Sequence, residues 1–130
     1  MIRGLGIDVV EVARIRRLLG EEARAGTAER FLARCFTDSE RRFCDGRADR
    51  ENAYAARFAA KEAMSKALGA PAGIRWTDVE VERGEGAPTL RLSGVADRVA
   101  RERGVDRVHL SLTHDGGIAA AVVVLEGGRE

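Results

Sequence analysis

The first residues of the sequence alternate between two kinds of side chain. Apolar residues occupy one set of positions and small or acidic residues the other: Leu5, Ile7 and Val9 against Gly4, Gly6 and Asp8. A period of two over residues 2–10 predicts a β-strand with one apolar face. The glycines remove side chains beside Asp8, so this part of the strand leaves room for a ligand or for another backbone. We therefore expect a cleft next to the Asp8 carboxylate.

The segments after this strand have helical spacing. Over residues 11–19 the apolar positions form one stripe and arginines take the remaining surface: Val12, Ile15, Leu18 and Leu19 against Arg14, Arg16 and Arg17. This pattern predicts an amphipathic helix with a basic face. A second helix is expected over 29–35, and Thr37 and Glu40 have the spacing of a capping box before a short third helix.

Residues 51–68 predict the strongest helix of the chain. The segment is rich in alanine, contains no glycine or proline, and is followed by Gly69 as a stop signal. We expect it to be the central helix. After it, residues 79–83 and 89–93 alternate like strands, and residues 95–103 have helical spacing that ends before Gly104.

The last section predicts a β-hairpin. Val108, Leu110 and Leu112 are expected to face the core, and residues 118–125 return as an apolar strand after a turn at 115–117. Strands and helices are mixed without a repeated β–α–β order. We therefore predict an α+β fold: a single compact domain over residues 1–130, with a mostly antiparallel sheet packed against the long central helix.

Composition narrows the class of protein. With 130 residues, 45% hydrophobic and 33% charged, the chain is globular and needs no metal or disulfide to fold, and Cys35 and Cys44 are expected to be reduced structural thiols. With 22 basic against 21 acidic residues and 5% aromatic residues, it lacks the basic footprint of a nucleic-acid-binding protein. No long apolar run and no leader are seen, which favours a cytoplasmic protein without a membrane segment.

The central helix carries the most informative residue. Tyr54, Phe58, Glu62 and Lys66 form one i, i+4 row, so the Glu62 carboxylate projects from an otherwise apolar face. A carboxylate there needs a cation, which is either Lys66 in a helical ion pair or a bound metal. Lys61 and Lys66 are the two lysines of the chain and both lie in this helix, which favours an ammonium that contacts phosphate or donates a proton.

A second carboxylate would complete a metal site. If the first strand packs against the central helix, Asp8 and Glu62 form the kind of two-carboxylate site that holds Mg²⁺ together with waters and phosphate oxygens. Taken alone, Asp8 also fits a turn acceptor, and His114 beside the glycine turn is either a ligand contact or a hairpin-stabilising imidazole. The sequence contains no P-loop, no GxGxxG segment and no HExxH motif.

Three segments of the chain match a known family. They are residues 6–15 (GIDVVEVARI), 57–67 (RFAAKEAMSKA) and 108–115 (VHLSLTHD). They resemble the opening motif, the signature helix and the closing strand of the holo-acyl-carrier-protein synthases, which are small members of the 4'-phosphopantetheinyl transferase superfamily. Residues 31–40 add a weaker match. Two departures are mild: Ala56 stands where glycine is expected, and Thr113 where serine is commoner.

The resemblance implies a reaction. It implies transfer of the phosphopantetheine arm from coenzyme A to a serine of an apo-acyl carrier protein, with release of adenosine 3',5'-bisphosphate and with magnesium as cofactor. Asp8 and Glu62 would be the metal ligands. Glu62 or a metal-bound water would deprotonate the serine, and Lys66 would steady the phosphate or the leaving group.

The resemblance also implies contacts and partners. Arg57 and His114 match positions near coenzyme A, together with Lys66, and Arg14 lies on the helix that would meet the acidic carrier protein. The family further implies a homotrimer with active sites between subunits.

Two other functions remain open at this point. A magnesium-dependent phosphohydrolase would use the same acids with water in place of the serine. A carrier-docking or oligomerising module would keep Asp8, Glu62 and Lys66 as a structural ion network. Product analysis separates the hydrolase from the transferase, and magnesium-dependent binding of coenzyme A argues against the module.

Overall fold

The central helix predicted from the alanine-rich segment organises the fold. It is helix α4, Arg50–Ala67, and nearly all of its middle residues are buried. The computed structural model describes residues 1–20, 24–83 and 85–128. Along the chain its elements are β1 (Ile2–Glu11), α1 (Val12–Leu19), α2 (Thr27–Cys35), α3 (Asp38–Asp45), α4, a 3₁₀ turn (Trp76–Asp78), β2 (Val79–Glu82), β3 (Thr89–Leu92), α5 (Gly94–Glu102), β4 (Val105–Asp115) and β5 (Ile118–Gly127).

The strands form two antiparallel sheets. The larger has the order β1-β5-β4, and β2 pairs with β3 in a separate two-stranded sheet. Alternate residues of β5 face α4 and are buried, from Ala119 to Leu125. Val108, Leu110 and Leu112 of β4 pack against the same core, as predicted. The predicted α+β architecture, an antiparallel sheet against one long helix, is therefore confirmed.

Local signals located several helix ends correctly. Thr37 Oγ1 accepts a hydrogen bond from the Glu40 amide at 3.2 Å, and Glu40 Oε1 accepts one from the Thr37 amide at 2.9 Å, so the predicted capping box begins α3. Gly69 has φ +80° directly after the C-cap of α4, the left-handed conformation that stops a helix. The 3₁₀ turn at Trp76–Asp78 was not predicted, because three residues are too few for a periodic pattern.

The two faces of β1 lie in different environments. Leu5, Ile7 and Val9 are 65%, 62% and 59% exposed, so the apolar face of the strand points outward. The opposite face packs on α4: a Cβ at Gly4 or Gly6 would overlap the carbonyl oxygens of Ala67 and Ala63. The glycines therefore make room for the helix backbone, which was one of the two predicted uses.

No helix in residues 1–20, 24–83 and 85–128 is long and apolar enough to cross a membrane.

Candidate active site

Close packing of β1 on α4 brings Asp8 to Lys66. The Lys66 ammonium donates to Asp8 Oδ1 at 2.9 Å and to the Ile7 carbonyl oxygen at 3.1 Å. Long helical side chains lean toward the helix N-terminus, so a lysine near the end of α4 reaches back to the strand. The Asp8 side chain is 15% exposed and that of Lys66 is 54% exposed. The pair therefore lies at the surface edge of the strand–helix contact.

Glu62 lies one helical turn before Lys66 and has a different partner. Its Oε1 accepts a hydrogen bond from Trp76 Nε1 at 2.7 Å. The described part of the chain contains no ion pair between Glu62 and Lys66, so the helical pair that the spacing allowed does not form. Glu62, Ser65, Ile74, Arg75 and Trp76 line a cavity of about 200 Å³. The carboxylate is thus half-buried beside space that a ligand can enter.

Asp8 and Glu62 have the donor chemistry that Mg²⁺ requires. Each carboxylate has one oxygen in a hydrogen bond, whereas Asp8 Oδ2 and Glu62 Oε2 have no bonded partner among the described residues. Magnesium commonly takes one or two carboxylates, with waters and phosphate oxygens completing the octahedron. Residues 1–20, 24–83 and 85–128 contain no group of three or more His, Cys, Asp or Glu side chains able to hold a metal. A metal held by these two carboxylates would take its remaining ligands from substrate and solvent.

Lys61 is a structural residue, not a phosphate contact. Its ammonium is buried, pairs with buried Glu40 at 2.7 Å, and also donates to the carbonyl oxygens of Trp76 and Val79. Burial lowers the pKa of Lys61, and the adjacent Glu40 carboxylate opposes that shift. The suggestion that the lysines of this helix serve phosphate chemistry is therefore wrong for Lys61, because its three donors are used inside the protein.

Arg57 and His114 line a second cavity, of about 190 Å³. The Arg57 guanidinium lies 4.2 Å from the Phe43 ring centroid, and its Nη1 donates to the Ala53 carbonyl oxygen at 3.2 Å. Its Nε is buried and has no hydrogen-bond partner among the described residues. Burial lowers the pKa of Arg57. His114 Nε2 lies 3.9 Å from Asp49 Oδ2.

Two further arginines make this second cavity cationic. Arg47 and Arg83 also line it, and their guanidinium groups lie 5.5 Å and 5.9 Å from the Phe43 ring centroid. Asp49 is the acidic residue on the lining, and Arg47 pairs with it at 2.7 Å. A cavity with this charge and an unpaired buried guanidinium nitrogen suits an anion such as phosphate.

The two cavities lie on different sides of α4. Arg57 and Glu62 are five residues apart, which separates their directions by about 140° around an α-helix. The resemblance implied metal ligands at Asp8 and Glu62 and coenzyme A contacts at Arg57, Lys66 and His114. The structure pairs Asp8 with Lys66, one helical turn from Glu62. Glu62 lines one cavity, whereas Arg57 and His114 line the other.

Arg14 is separate from both cavities. It is exposed on α1, as are Arg16 and Arg17, while Val12 and Ile15 of the same helix are buried. The amphipathic helix with a basic outer face is therefore present as predicted.

Two kinds of site residue were missed from the sequence. Trp76 bonds Glu62 from a loop 14 residues away, and Phe43, Arg47 and Arg83 join Arg57 from α3, from the residues after it, and from the end of β2. No spacing rule connects a loop to a helix face. The one available signal was that Trp76 is the only tryptophan in the chain.

Comparisons with known proteins establish the family of this chain. A family model described as the 4'-phosphopantetheinyl transferase superfamily matches residues 4–123. A holo-[acyl-carrier-protein] synthase of Anaeromyxobacter dehalogenans is 66% identical over 98% of this chain and 98% of that protein. One of Myxococcus xanthus is 54% identical over 96% of this chain and 95% of that protein.

The solved structures include the same fold with a ligand. A Helicobacter pylori holo-[acyl-carrier-protein] synthase in complex with coenzyme A superimposes with a TM-score of 0.78 and 31% identity, over 94% of this chain and 99% of that chain. The match therefore covers both the fold and almost the whole sequence. The chain belongs to the 4'-phosphopantetheinyl transferase superfamily, as a transferase of the holo-[acyl-carrier-protein] synthase group.

Proposed function

We propose that this enzyme moves the 4'-phosphopantetheine group of coenzyme A onto a serine hydroxyl of an apo-acyl carrier protein and releases adenosine 3',5'-bisphosphate. The observation that carries the proposal is the meeting of Asp8 and Lys66 one helical turn from half-buried Glu62, which lines an open cavity. Binding of coenzyme A by the Helicobacter pylori relative supports the same donor here.

The reaction needs charge neutralisation and alignment. The serine oxygen forms a bond to phosphorus as the bond from phosphorus to the bridging oxygen of the pyrophosphate breaks, and the serine proton moves to Glu62, directly or through a water. The Lys66 ammonium would offset negative charge on the phosphate oxygens or on the leaving group. Mg²⁺ bound by Asp8 and Glu62 would supply further neutralisation of phosphate charge.

No covalent enzyme intermediate is proposed, because the thiols are unsuited to attack. Cys35 and Cys44 are buried, and burial raises their pKa values to about 11 and about 12. The thiolate is the nucleophile, so thiols with such pKa values remain protonated near neutrality. The serine of the carrier protein is then the single nucleophile in the reaction.

We further propose that a complete site forms between subunits of a homotrimer. The cationic cavity of Arg57 and His114 suits the phosphates of coenzyme A, yet it lies on the other side of α4 from Glu62. One subunit would supply Glu62, and a second subunit would supply Arg57 and His114. The outward apolar face of β1 supports this assembly, since exposed apolar patches of this kind mark interfaces.

The basic face of α1 is proposed as the docking surface for the carrier protein. Arg14, Arg16 and Arg17 are exposed on one helix whose apolar residues belong to the core, so they are available to an acidic partner. Charges at the rim of an interface mainly accelerate association and are screened by salt. A cytoplasmic location stays a prediction.

Intact mass spectrometry of the carrier protein tests the proposed function. Apo-carrier is incubated with the enzyme, coenzyme A and Mg²⁺, and in parallel with Glu62→Gln, which keeps the side-chain shape but removes its charge. We expect the carrier to gain the mass of one phosphopantetheine group with the wild type and almost none with the variant. Cleavage of coenzyme A without carrier modification would identify a hydrolase instead, and equal activity of Glu62→Gln would remove Glu62 from the mechanism.

A further inference from the structure

Trp76 connects the interior of the protein to the candidate catalytic carboxylate. Its indole Nε1 donates to Glu62 Oε1 at 2.7 Å. Its ring is stacked against Phe58 of α4, with centroids 6.1 Å apart and an interplanar angle of 17°. The Arg34 guanidinium lies 5.3 Å from the Trp76 ring centroid. The indole therefore contacts a ring one helical turn before the carboxylate that it binds.

The backbone of Trp76 is held as firmly as its ring. Lys61 donates to the Trp76 carbonyl oxygen at 3.0 Å, and Lys61 is itself fixed by its buried ion pair with Glu40. Asp78 Oδ2 accepts a hydrogen bond from the Arg75 amide at 3.1 Å and so closes the 3₁₀ turn. Two adjacent residues of α4 thus hold the same tryptophan: Lys61 binds its main chain, and Glu62 binds its side chain.

A neutral donor suits the task of orienting this carboxylate. Glu62 has three rotatable side-chain bonds, so without a partner its oxygens would sample several rotamers. The indole N–H fixes one oxygen and brings no positive charge, so the full negative charge remains on the group. Asp8 is held differently, by the ammonium of Lys66. Glu62 Oε2 has no hydrogen bond to any described residue and is the oxygen left for chemistry.

We propose that Trp76 is a positioning residue for Glu62: its indole N–H holds Oε1 in one place so that Oε2 faces substrate and metal in a fixed orientation. This inference rests on the proposed function, because orientation of Glu62 matters to turnover only if Glu62 takes part in the reaction. Trp76 acts through Glu62 and performs no chemical step of its own.

Nuclear magnetic resonance tests the contact without any activity assay. The sequence has one tryptophan, so the protein gives one indole ¹H–¹⁵N resonance. Glu62→Ala removes the acceptor, and we expect the indole resonance to move and its hydrogen exchange to accelerate about tenfold, since a half-buried N–H loses a charged partner. Glu51→Ala, in the same helix, is the matched control and should leave the resonance in place. An unchanged resonance in Glu62→Ala would overturn the inference.

Kinetics then separate positioning from packing. Trp76→Phe keeps an aromatic ring against Phe58 but removes the N–H together with part of the indole. We expect kcat to fall about tenfold and the Mg²⁺ concentration for half-maximal rate to rise, with little change in KM for coenzyme A. Phe31→Leu is the matched packing control: Phe31 packs on Phe36 and Phe58, so its loss should lower the melting temperature while kcat stays within twofold of wild type.

The outcomes distinguish this inference from the function on which it rests. Full turnover by Trp76→Phe, in an enzyme that Glu62→Gln inactivates, would overturn the positioning role and leave the proposed function intact. Full turnover by both variants would overturn the role of Glu62 as well. If Trp76→Phe and Phe31→Leu lose kcat in proportion to their loss of stability, the contact is structural and the inference fails.

Discussion

Two lysines of one helix have different roles at the residue scale. Lys61 is buried in a pair with Glu40, whereas Lys66 is exposed in a pair with Asp8. Removing one partner of a buried pair leaves an unpaired charge in the interior, which costs about 3–5 kcal/mol. An exposed pair contributes about 1 kcal/mol or less.

Alanine substitutions of these lysines should therefore separate stability from activity. We expect Lys61→Ala to lower the free energy of unfolding by about 3–5 kcal/mol. We expect Lys66→Ala to lower it by at most about 1 kcal/mol while turnover falls strongly. Urea denaturation and steady-state kinetics on both variants measure this. A stable Lys61→Ala, or a fully active Lys66→Ala, would contradict these roles.

Residue identity and spacing were enough to select Asp8, Glu62 and Lys66, but not their partners. The i, i+4 spacing allowed a Glu62–Lys66 pair, yet each residue binds a partner outside the helix. Lys66 binds Asp8 of β1, and Glu62 binds Trp76 of the 3₁₀ turn. Lys61 looked as available as Lys66, because nothing local in the sequence tells which side of an alanine-rich helix is covered. Tertiary contacts decide which side of the helix is covered and which partner each side chain binds.

The glycines of β1 set the strand–helix distance at the element scale. A Cβ at Gly6 would overlap the Ala63 carbonyl oxygen, which is backbone and cannot rotate away. The strand would have to move off α4, and Asp8 would move with it, away from Lys66. Overpacking of this kind costs about 1–3 kcal/mol.

Gly6→Ala is therefore expected to lose about 3 kcal/mol of stability together with turnover. Gly46→Ala is the matched control: Gly46 has φ −80° and ψ −3°, and a Cβ there meets its nearest atom at 3.4 Å. It should gain about 0.4–1 kcal/mol, because alanine restricts the unfolded chain. Thermal unfolding of both variants decides this, and similar melting temperatures would show that β1 and α4 tolerate separation.

Reversal of charge on α1 tests the docking surface. Arg14→Glu should weaken binding of an acidic apo-carrier at low salt, with a defect that shrinks as salt rises, while coenzyme A binding is unchanged. Arg98→Glu changes the net charge equally but lies on the exposed face of α5, and should bind the carrier as the wild type does. Titrations of each protein with carrier and with coenzyme A provide the comparison. Equal loss of carrier affinity in both variants would mean that total charge matters and α1 does not.

The positions of the helices and strands were largely predictable from the sequence, whereas the directions in which their faces point were not. Periodicity located β1 and α4, and a capping box located the start of α3, because these signals are local. Alternation shows that a strand has one apolar face but not what covers it. In one chain the face of Leu5, Ile7 and Val9 is exposed, and the glycine face meets the helix.

The exposed apolar face of β1 leads to a prediction about how whole molecules assemble. Leu5 pairs across the sheet with Val124, and Ile7 with Val122, so the outer surface of β1 continues onto β5 as an apolar patch. Ile7→Lys should place a charge in the proposed subunit interface and produce monomers, detectable by light scattering, with loss of turnover although Asp8, Glu62 and Lys66 are untouched. A monomeric wild type, or an active monomeric variant, would contradict assembly as a condition for activity.

Subunit complementation tests the central claim most directly: that one reaction site joins Glu62 of one subunit to Arg57 of the next. Glu62→Gln and Arg57→Gln are each expected to be nearly inactive by intact mass of the carrier protein. After the two variants are mixed in equal amounts and their subunits exchange, about half of the subunits supply an intact Glu62 and the other half supply an intact Arg57. About a quarter of the sites in a cyclic trimer then contain both intact residues, so about a quarter of wild-type turnover should return. No recovery of turnover after verified subunit exchange would contradict the shared site, because it would mean that each subunit needs both residues itself.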